Sequence, residues 1–159
     1  MSKAAVEAVE PAAWTVHCDG SAIPNPGRMG LGAVLVAPDG TRHTLSRATH
    51  TSGCNNEAEV RALMAAIDQA MLLGATALVI HSDNSVLVEQ LAAIDPKPIA
   101  RLASLFDEAR ERLALLDSVR VVWIPGHRNG EADALARAAL GMPMRVIRAE
   151  GKSGKQRRR

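Results

Sequence analysis

The spacing of apolar positions changes several times along this chain, and each change marks an element. Trp14 to Asp19 is a short β-type run that ends on Asp19-Gly20-Ser21, a turn signal. A loop holding Pro24, Pro26, Gly27 and Gly30 leads into Leu31 to Ala37, which reads as a buried strand. Pro38-Asp39-Gly40 is a hairpin turn, and Thr41 to Thr49 alternates well enough to be the antiparallel partner. From Asn55 the period becomes helical: Val60, Leu63, Met64, Ile67 and Met71 form one stripe, closed by Gly74. Ala77 to His81 is a compact strand running into Ser82-Asp83-Asn84-Ser85, a cluster of helix-capping residue types. A helix to about Ala93 follows and breaks at Pro96 and Pro98. Ile99 to Leu116 forms the next helix, with Leu102, Leu105, Phe106, Ala109, Leu113 and Leu116 on its apolar face. Val119 to Ile124 is a strand, Pro125 to Gly130 a loop, and Glu131 to Leu140 the last helix. The order β-β-β-α-β-α-α-β-α predicts an α/β fold, a mixed sheet with helices on both faces.

Composition adds limits. With 159 residues the chain suits one domain with a real core. Its apolar share of 47% and charged share of 23% are those of an ordinary globular protein. No apolar run approaches the ~18–20 residues that span a bilayer, so no membrane is expected. Met1 to Ala13 carries Glu7 and Glu10 and does not read as a signal peptide. Cys18 and Cys54 fit neither a disulfide framework nor a zinc pattern, so reduced thiols in a cytoplasm are expected. Charge is unevenly placed: residues 145–159 hold seven Lys or Arg against one Glu, while the rest holds twelve against sixteen Asp or Glu. A net acidic body does not hold a polyanion by its overall field, so any grip on nucleic acid falls to local geometry, metal ions or the tail. The expected organisation is a flexible segment over 1–13, a domain over 14–144 and a disordered basic tail over 145–159.

Four acids sit at the expected element ends. Asp19 ends the first strand, Asp83 ends the fourth, Glu59 lies in the first turns of the long helix, and Asp133 lies in the first turn of the last helix. Ligand sites of open α/β sheets gather at such strand ends, and oxygen donors suit hard cations such as Mg²⁺ or Mn²⁺. Taken singly, each acid also fits a turn, a helix cap or a first-turn position favoured by the helix dipole. Position alone does not identify the chemistry.

The surrounding residues do more. Cys18-Asp19-Gly20-Ser21, Asn25-Pro26-Gly27 and Gly30-Leu31-Gly32-Ala33 resemble the opening of type 1 ribonuclease H. Asn55-Asn56-Glu57-Ala58-Glu59 is similar to that family's second motif, and Ser82-Asp83-Asn84 to its third. Trp123-Ile124-Pro125-Gly126-His127, with Ala132-Asp133-Ala134-Leu135-Ala136-Arg137, resembles the last. The match runs in order from about residue 14 to 140. It implies the ribonuclease H-like fold: a five-stranded mixed sheet, three antiparallel strands then two parallel. It implies two-metal hydrolysis of the RNA strand of RNA–DNA hybrids, leaving 5′-phosphate and 3′-hydroxyl ends. Two Mg²⁺ ions, replaceable by Mn²⁺, are then expected: Asp19 shared by both, Glu59 and Asp83 on one, Asp133 on the other. His127 matches a mobile histidine that assists proton transfer or product release. Reading of the RNA falls to Asn25, Asn55 and Asn56 and the backbone of Gly20 and Ser21, since Asn both donates and accepts hydrogen bonds. The partner expected is the hybrid, with no obligate protein partner and a monomeric chain.

Some features depart from the family pattern. Cys54 stands where many members carry Thr, and a thiol is a poor partner for a phosphate oxygen. No basic, tryptophan-rich insertion lies between Val86 and Leu116; Lys97 and Arg101 are a thin substitute. The stretch between His127 and Asp133 is shorter than in several members. His17 and His81, each two residues before an acid, are expected to be packing residues on the same face as Asp19 and Asp83. The competing functions are a ribonuclease H-like nuclease acting on other nucleic acids and a non-catalytic hybrid-binding module. The RNA-reading asparagines argue against the first and the retained acids against the second.

Overall fold

The computed structural model describes residues 12–143. The basic tail expected over 145–159, and all but the last two residues of the segment expected over 1–13, lie outside the described residues. The elements follow the expected order: β1 (Trp14–Ile23), β2 (Gly27–Val36), β3 (Arg42–Gly53), α1 (Asn55–Leu72), β4 (Ala77–Ser82), α2 (Ser85–Ala92), α3 (Ala103–Ala114), β5 (Ser118–Trp123) and α4 (Gly130–Ala139). The strands form one five-stranded sheet in the order β3-β2-β1-β4-β5. β1–β2 and β2–β3 are antiparallel, while β1–β4 and β4–β5 are parallel. This is the expected mixed sheet.

Alternation sorts the strands into two faces. Val16 and Cys18 of β1, Leu31, Ala33 and Leu35 of β2, and Leu78 and Ile80 of β4 point into the main core. There they meet Val60, Leu63 and Ile67 of α1 and Phe106 of α3. The buried side of α1 is wider than the expected stripe because Ala58, Ala62, Ala65, Ala66 and Ala70 are buried too. α4 covers the opposite face, where the position of a Cβ on Gly32 is taken by Ala132 and Ala136 backbone. Helices therefore do lie on both faces.

The first three strands run further than their sequence pattern indicates. Asp19-Gly20-Ser21 is not a turn: it pairs in register with Gly32, Leu31 and Gly30 of β2. Gly20 serves close packing instead, because a side chain there would collide with the Ala58 carbonyl of α1. The real turn is confined to Pro24-Asn25-Pro26, with cis bonds at Ile23–Pro24 and Asn25–Pro26. β3 continues to Gly53 through an irregularity between Arg28 and Gly30 of its partner. The helix expected over Ile99 to Leu116 opens as a 3-10 turn, Ala100–Leu102, and its α-helical part ends at Ala114.

Strand lengths create the site. β4 pairs with β1 only from Trp14↔Leu78 to His17↔His81, while β1 runs on to Ile23. From Cys18 onward, the edge of β1 that faced β4 has no strand beside it. Asp83 follows immediately after the end of β4, beside this notch.

Candidate active site

Three acids meet at the notch. Asp19, Glu59 and Asp83 each present a carboxylate oxygen, all within 4.8 Å of one another. Asp19 extends from the middle of β1, Glu59 from the second turn of α1, and Asp83 from the β4–α2 junction. Asp19 and Glu59 are only 5% and 7% exposed, unusual for acids and costly unless a cation compensates. Asp133, in the first turn of α4, lines the same open cleft, together with Gly20, Ser21, Asn55 and Asn84. Its charge acts on Asp19 and Asp83, but it is not part of the three-residue ligand set. The four expected acids thus share one cleft as a tight group of three with a fourth beside it.

The charges are unfavourable as they stand. Burial, then the Glu59 charge, pushes the Asp19 carboxyl up to about 11. Burial pushes Glu59 up to about 8 despite hydrogen bonds from Gly20 and Asn84. Asp83 is also raised, by burial and by the Asp133 charge, with a hydrogen bond from the Asn129 side chain partly offsetting the rise. Glu59 Oε1 is fully buried and has no hydrogen-bond partner among the described residues. An orphaned buried oxygen in an all-oxygen donor set fits a hard divalent cation, which would hold these carboxyls ionised.

Of the residues expected to read substrate, Gly20, Ser21 and Asn55 line the cleft, while Asn25 and Asn56 are tied to it by hydrogen bonds. Asn55 N donates to Asn25 Oδ1 at 3.0 Å, and Ala22 N donates to Asn55 Oδ1 at 2.8 Å. These two bonds tie the β1–β2 turn to the start of α1. Asn56 Oδ1 accepts from Asn84 Nδ2 at 2.9 Å. Neither Asn55 nor Asn56 caps α1; Cys54 does, its thiol accepting from Glu57 N at 3.4 Å. Nor does Asp83 cap α2, since Asn84 Oδ1 accepts from Leu87 N at 2.9 Å. The Arg101 guanidinium lies 4.0 Å from Cys54 Sγ, so a cation accompanies the thiol at the head of α1. His127 is exposed in a 3-10 turn, Gly126–Arg128, beside the acids rather than among them. A Cβ on neighbouring Gly126 would lie 3.4 Å from Asp83 Oδ2. His17 and His81 stack with centroids 4.5 Å apart, a packed pair on the Asp19 side of the sheet.

Two asparagines were not legible as site residues. Asn84 has the look of a helix cap, and it is one, but it also bonds Asn56. Asn129 sits in a loop sequence, yet it is 1% exposed and bonds Cys18 O, 111 residues away in sequence. Only its spacing of four residues before Asp133 hinted at a shared helix start.

Comparisons with known proteins place the fold in a family. A family model described as reverse transcriptase-like matches residues 17–139. The ribonuclease HI of Halobacterium salinarum is 34% identical over 129 residues, covering 78% of this chain and 62% of that protein. A bifunctional protein of Mycobacterium tuberculosis is 32% identical over 131 residues, covering 79% of this chain. The chain spans only 35% of that mycobacterial protein's length. The crystal structure of the ribonuclease H1 of Halobacterium salinarum superposes with a TM-score of 0.76 at 30% identity, covering 82% of this chain and 98% of that one. The N-terminal ribonuclease H domain of the mycobacterial protein superposes with a TM-score of 0.73 at 30% identity, covering 84% and 100%.

Proposed function

Because this chain belongs to the type 1 ribonuclease H family, we propose that it cuts the RNA strand of RNA–DNA hybrids internally, leaving 5′-phosphate and 3′-hydroxyl ends. The observation that carries this reading is the convergence of Asp19, Glu59 and Asp83 within 4.8 Å, with Asp133 on the same cleft. Those four carboxylates would hold two Mg²⁺ ions, for which Mn²⁺ would substitute, with Asp19, Glu59 and Asp83 as the tight set and Asp133 beside them. Bound there, the cations supply an activated water and charge neutralisation at the scissile phosphate.

The chain's own residues do the rest. With their Oδ1 atoms committed to backbone amides, Asn25 and Asn55 keep their side-chain NH₂ groups for acceptors on the substrate. Together with Asn56, Ser21 and the Gly20 backbone, they read 2′-hydroxyls across the minor groove, where RNA differs from DNA. Arg101 and the head of α1 at Cys54 receive a phosphate of the DNA strand, which compensates in part for the thiol. His127, on its exposed turn, carries a proton to the leaving group or helps product depart. Among the described residues, no helix is long and apolar enough to cross a membrane. A monomer acting in a reducing cytoplasm, where Cys18 and Cys54 stay free thiols, completes the reading.

Digestion of matched hybrid, RNA duplex and DNA duplex in Mg²⁺ tests the proposal. Cutting confined to the RNA strand of the hybrid is expected. Cutting of the DNA duplex would support a related nuclease of other specificity, and binding without cutting a hybrid-binding module.

A further inference from the structure

The acids arrive on separate elements, and one buried residue bonds to two of those elements and lies beside a third. Asn129 Nδ2 donates to Cys18 O at 3.0 Å, on the residue before Asp19. The same side chain lies close enough to the Asp83 carboxyl to interact with it. Its backbone carbonyl accepts from Asp133 N at 3.1 Å, the bond that starts α4, and its backbone N closes the 3-10 turn holding His127 by donating to Gly126 O at 2.9 Å. The Cys18 carbonyl demands a donor and the nearby Asp83 carboxylate disfavours an amide oxygen, so the amide orientation is fixed: nitrogen toward Cys18, oxygen away. Asn129 Oδ1 then remains buried with no partner among the described residues. Leaving a buried acceptor unmet costs free energy, so the amide is retained for what its nitrogen does.

We propose that Asn129 is a positioning residue for the metal site, setting Asp83 against Asp19 and anchoring the helix start that carries Asp133. The inference rests on the proposed function, in which those acids hold the metal. Partners of this kind orient the groups that ligate a metal, and their loss typically lowers metal affinity or activity by about 10–100-fold. Asn129→Ala removes the bond to Cys18 and the amide beside Asp83. Asn129→Asp keeps the shape but turns an acceptor toward the Cys18 carbonyl and the Asp83 carboxylate, adding a negative charge beside a crowded set.

The test measures, for wild type and both variants, the rise in Tm on adding Mg²⁺, the Mg²⁺ concentration for half-maximal hybrid cleavage, and kcat and KM for the hybrid. Expected is a Mg²⁺ midpoint shifted upward by about 10-fold or more, a smaller Mg²⁺-induced rise in Tm, and a fall in kcat with KM for hybrid unchanged. The effect should be larger in Asn129→Asp than in Asn129→Ala. A lower Tm with wild-type Mg²⁺ midpoint and kcat would make Asn129 a structural strut and overturn the proposal, as would failure of both variants to fold. A wild-type protein that Mg²⁺ stabilises but that leaves hybrid uncut would instead overturn the proposed function, with the metal-binding comparison still deciding the role of Asn129.

Discussion

Gly20 on β1 lies directly beneath Ala58 on α1, so close that a Cβ on the glycine would stand 2.6 Å from Glu59 N and nearer still to the Ala58 carbonyl. The obstruction is backbone, which cannot swing aside as a side chain does. This contact fixes the height of α1 above the sheet, and therefore the reach of Glu59 toward Asp19. Gly20→Ala should lift the head of α1 and move Glu59 away from its partners. The expected cost is about 1–3 kcal/mol of stability, the range for overpacked sites, with a loss of Mg²⁺-dependent activity. Denaturant unfolding and a hybrid cleavage assay check both; wild-type values in each would refute the packing argument.

The carboxyl cluster makes a prediction about pH. Asp19 and Glu59 have folded pKa values of about 11 and about 8, above their ordinary 3.8 and 4.5. Raised acids favour the fold while they are protonated, so their contribution is full below about pH 4 and is lost as pH rises through those values. Metal-free protein should therefore lose Tm between about pH 5 and 9, and Mg²⁺ should restore more Tm at the upper end than at the lower. Melting curves in EDTA and in Mg²⁺ across that range decide it. A metal-free Tm that rises toward pH 9 would contradict the electrostatic picture.

Removing one of the repelling acids should act in the same direction. Asp83→Asn in EDTA at pH 8 is expected to melt above the wild type, because less like-charge repulsion remains. Addition of Mg²⁺ should then raise its Tm less than it raises the wild type's. Equal Mg²⁺ stabilisation of the two proteins would take Asp83 out of the metal site.

How much of this is legible without coordinates depends on the range of the interaction. Local signals hold: the turn at Pro38-Asp39-Gly40, the helical stripe of Val60, Leu63 and Ile67, and the order of the strands all stand in the structure. The four acids also fall on one cleft, as the motifs around them imply. Misreadings arise where a residue serves a distant partner. Asp19-Gly20-Ser21 has turn composition, yet it is mid-strand because Gly20 answers to α1, which begins more than thirty residues later. Capping of α1 by Cys54 and of α2 by Asn84 frees the neighbouring asparagine and aspartate, a division of labour that residue type alone does not assign. Asn129 is invisible for the same reason: its partner Cys18, and Asp83 beside it, are brought to it only by the closed fold.

His127 stands on an exposed turn beside the acids, and under the proposed function it handles a proton or helps product depart without coordinating metal. His127→Ala should lower kcat by about 10²-fold or less, at the low end for acid–base groups. Its Mg²⁺ midpoint and Mg²⁺-induced rise in Tm should match the wild type. Loss of metal affinity in this variant would make the histidine a ligand.

The central claim is that these carboxylates hold the metal for cutting RNA paired to DNA, and one measurement addresses it most directly. Wild type and Asp19→Asn are incubated side by side with an end-labelled hybrid while Mg²⁺ is raised from EDTA to saturation. Expected is RNA-strand cleavage by the wild type that depends wholly on Mg²⁺, and none by Asp19→Asn at any concentration although the variant is folded. Cleavage by wild type in EDTA, or by Asp19→Asn at saturating Mg²⁺, would contradict it.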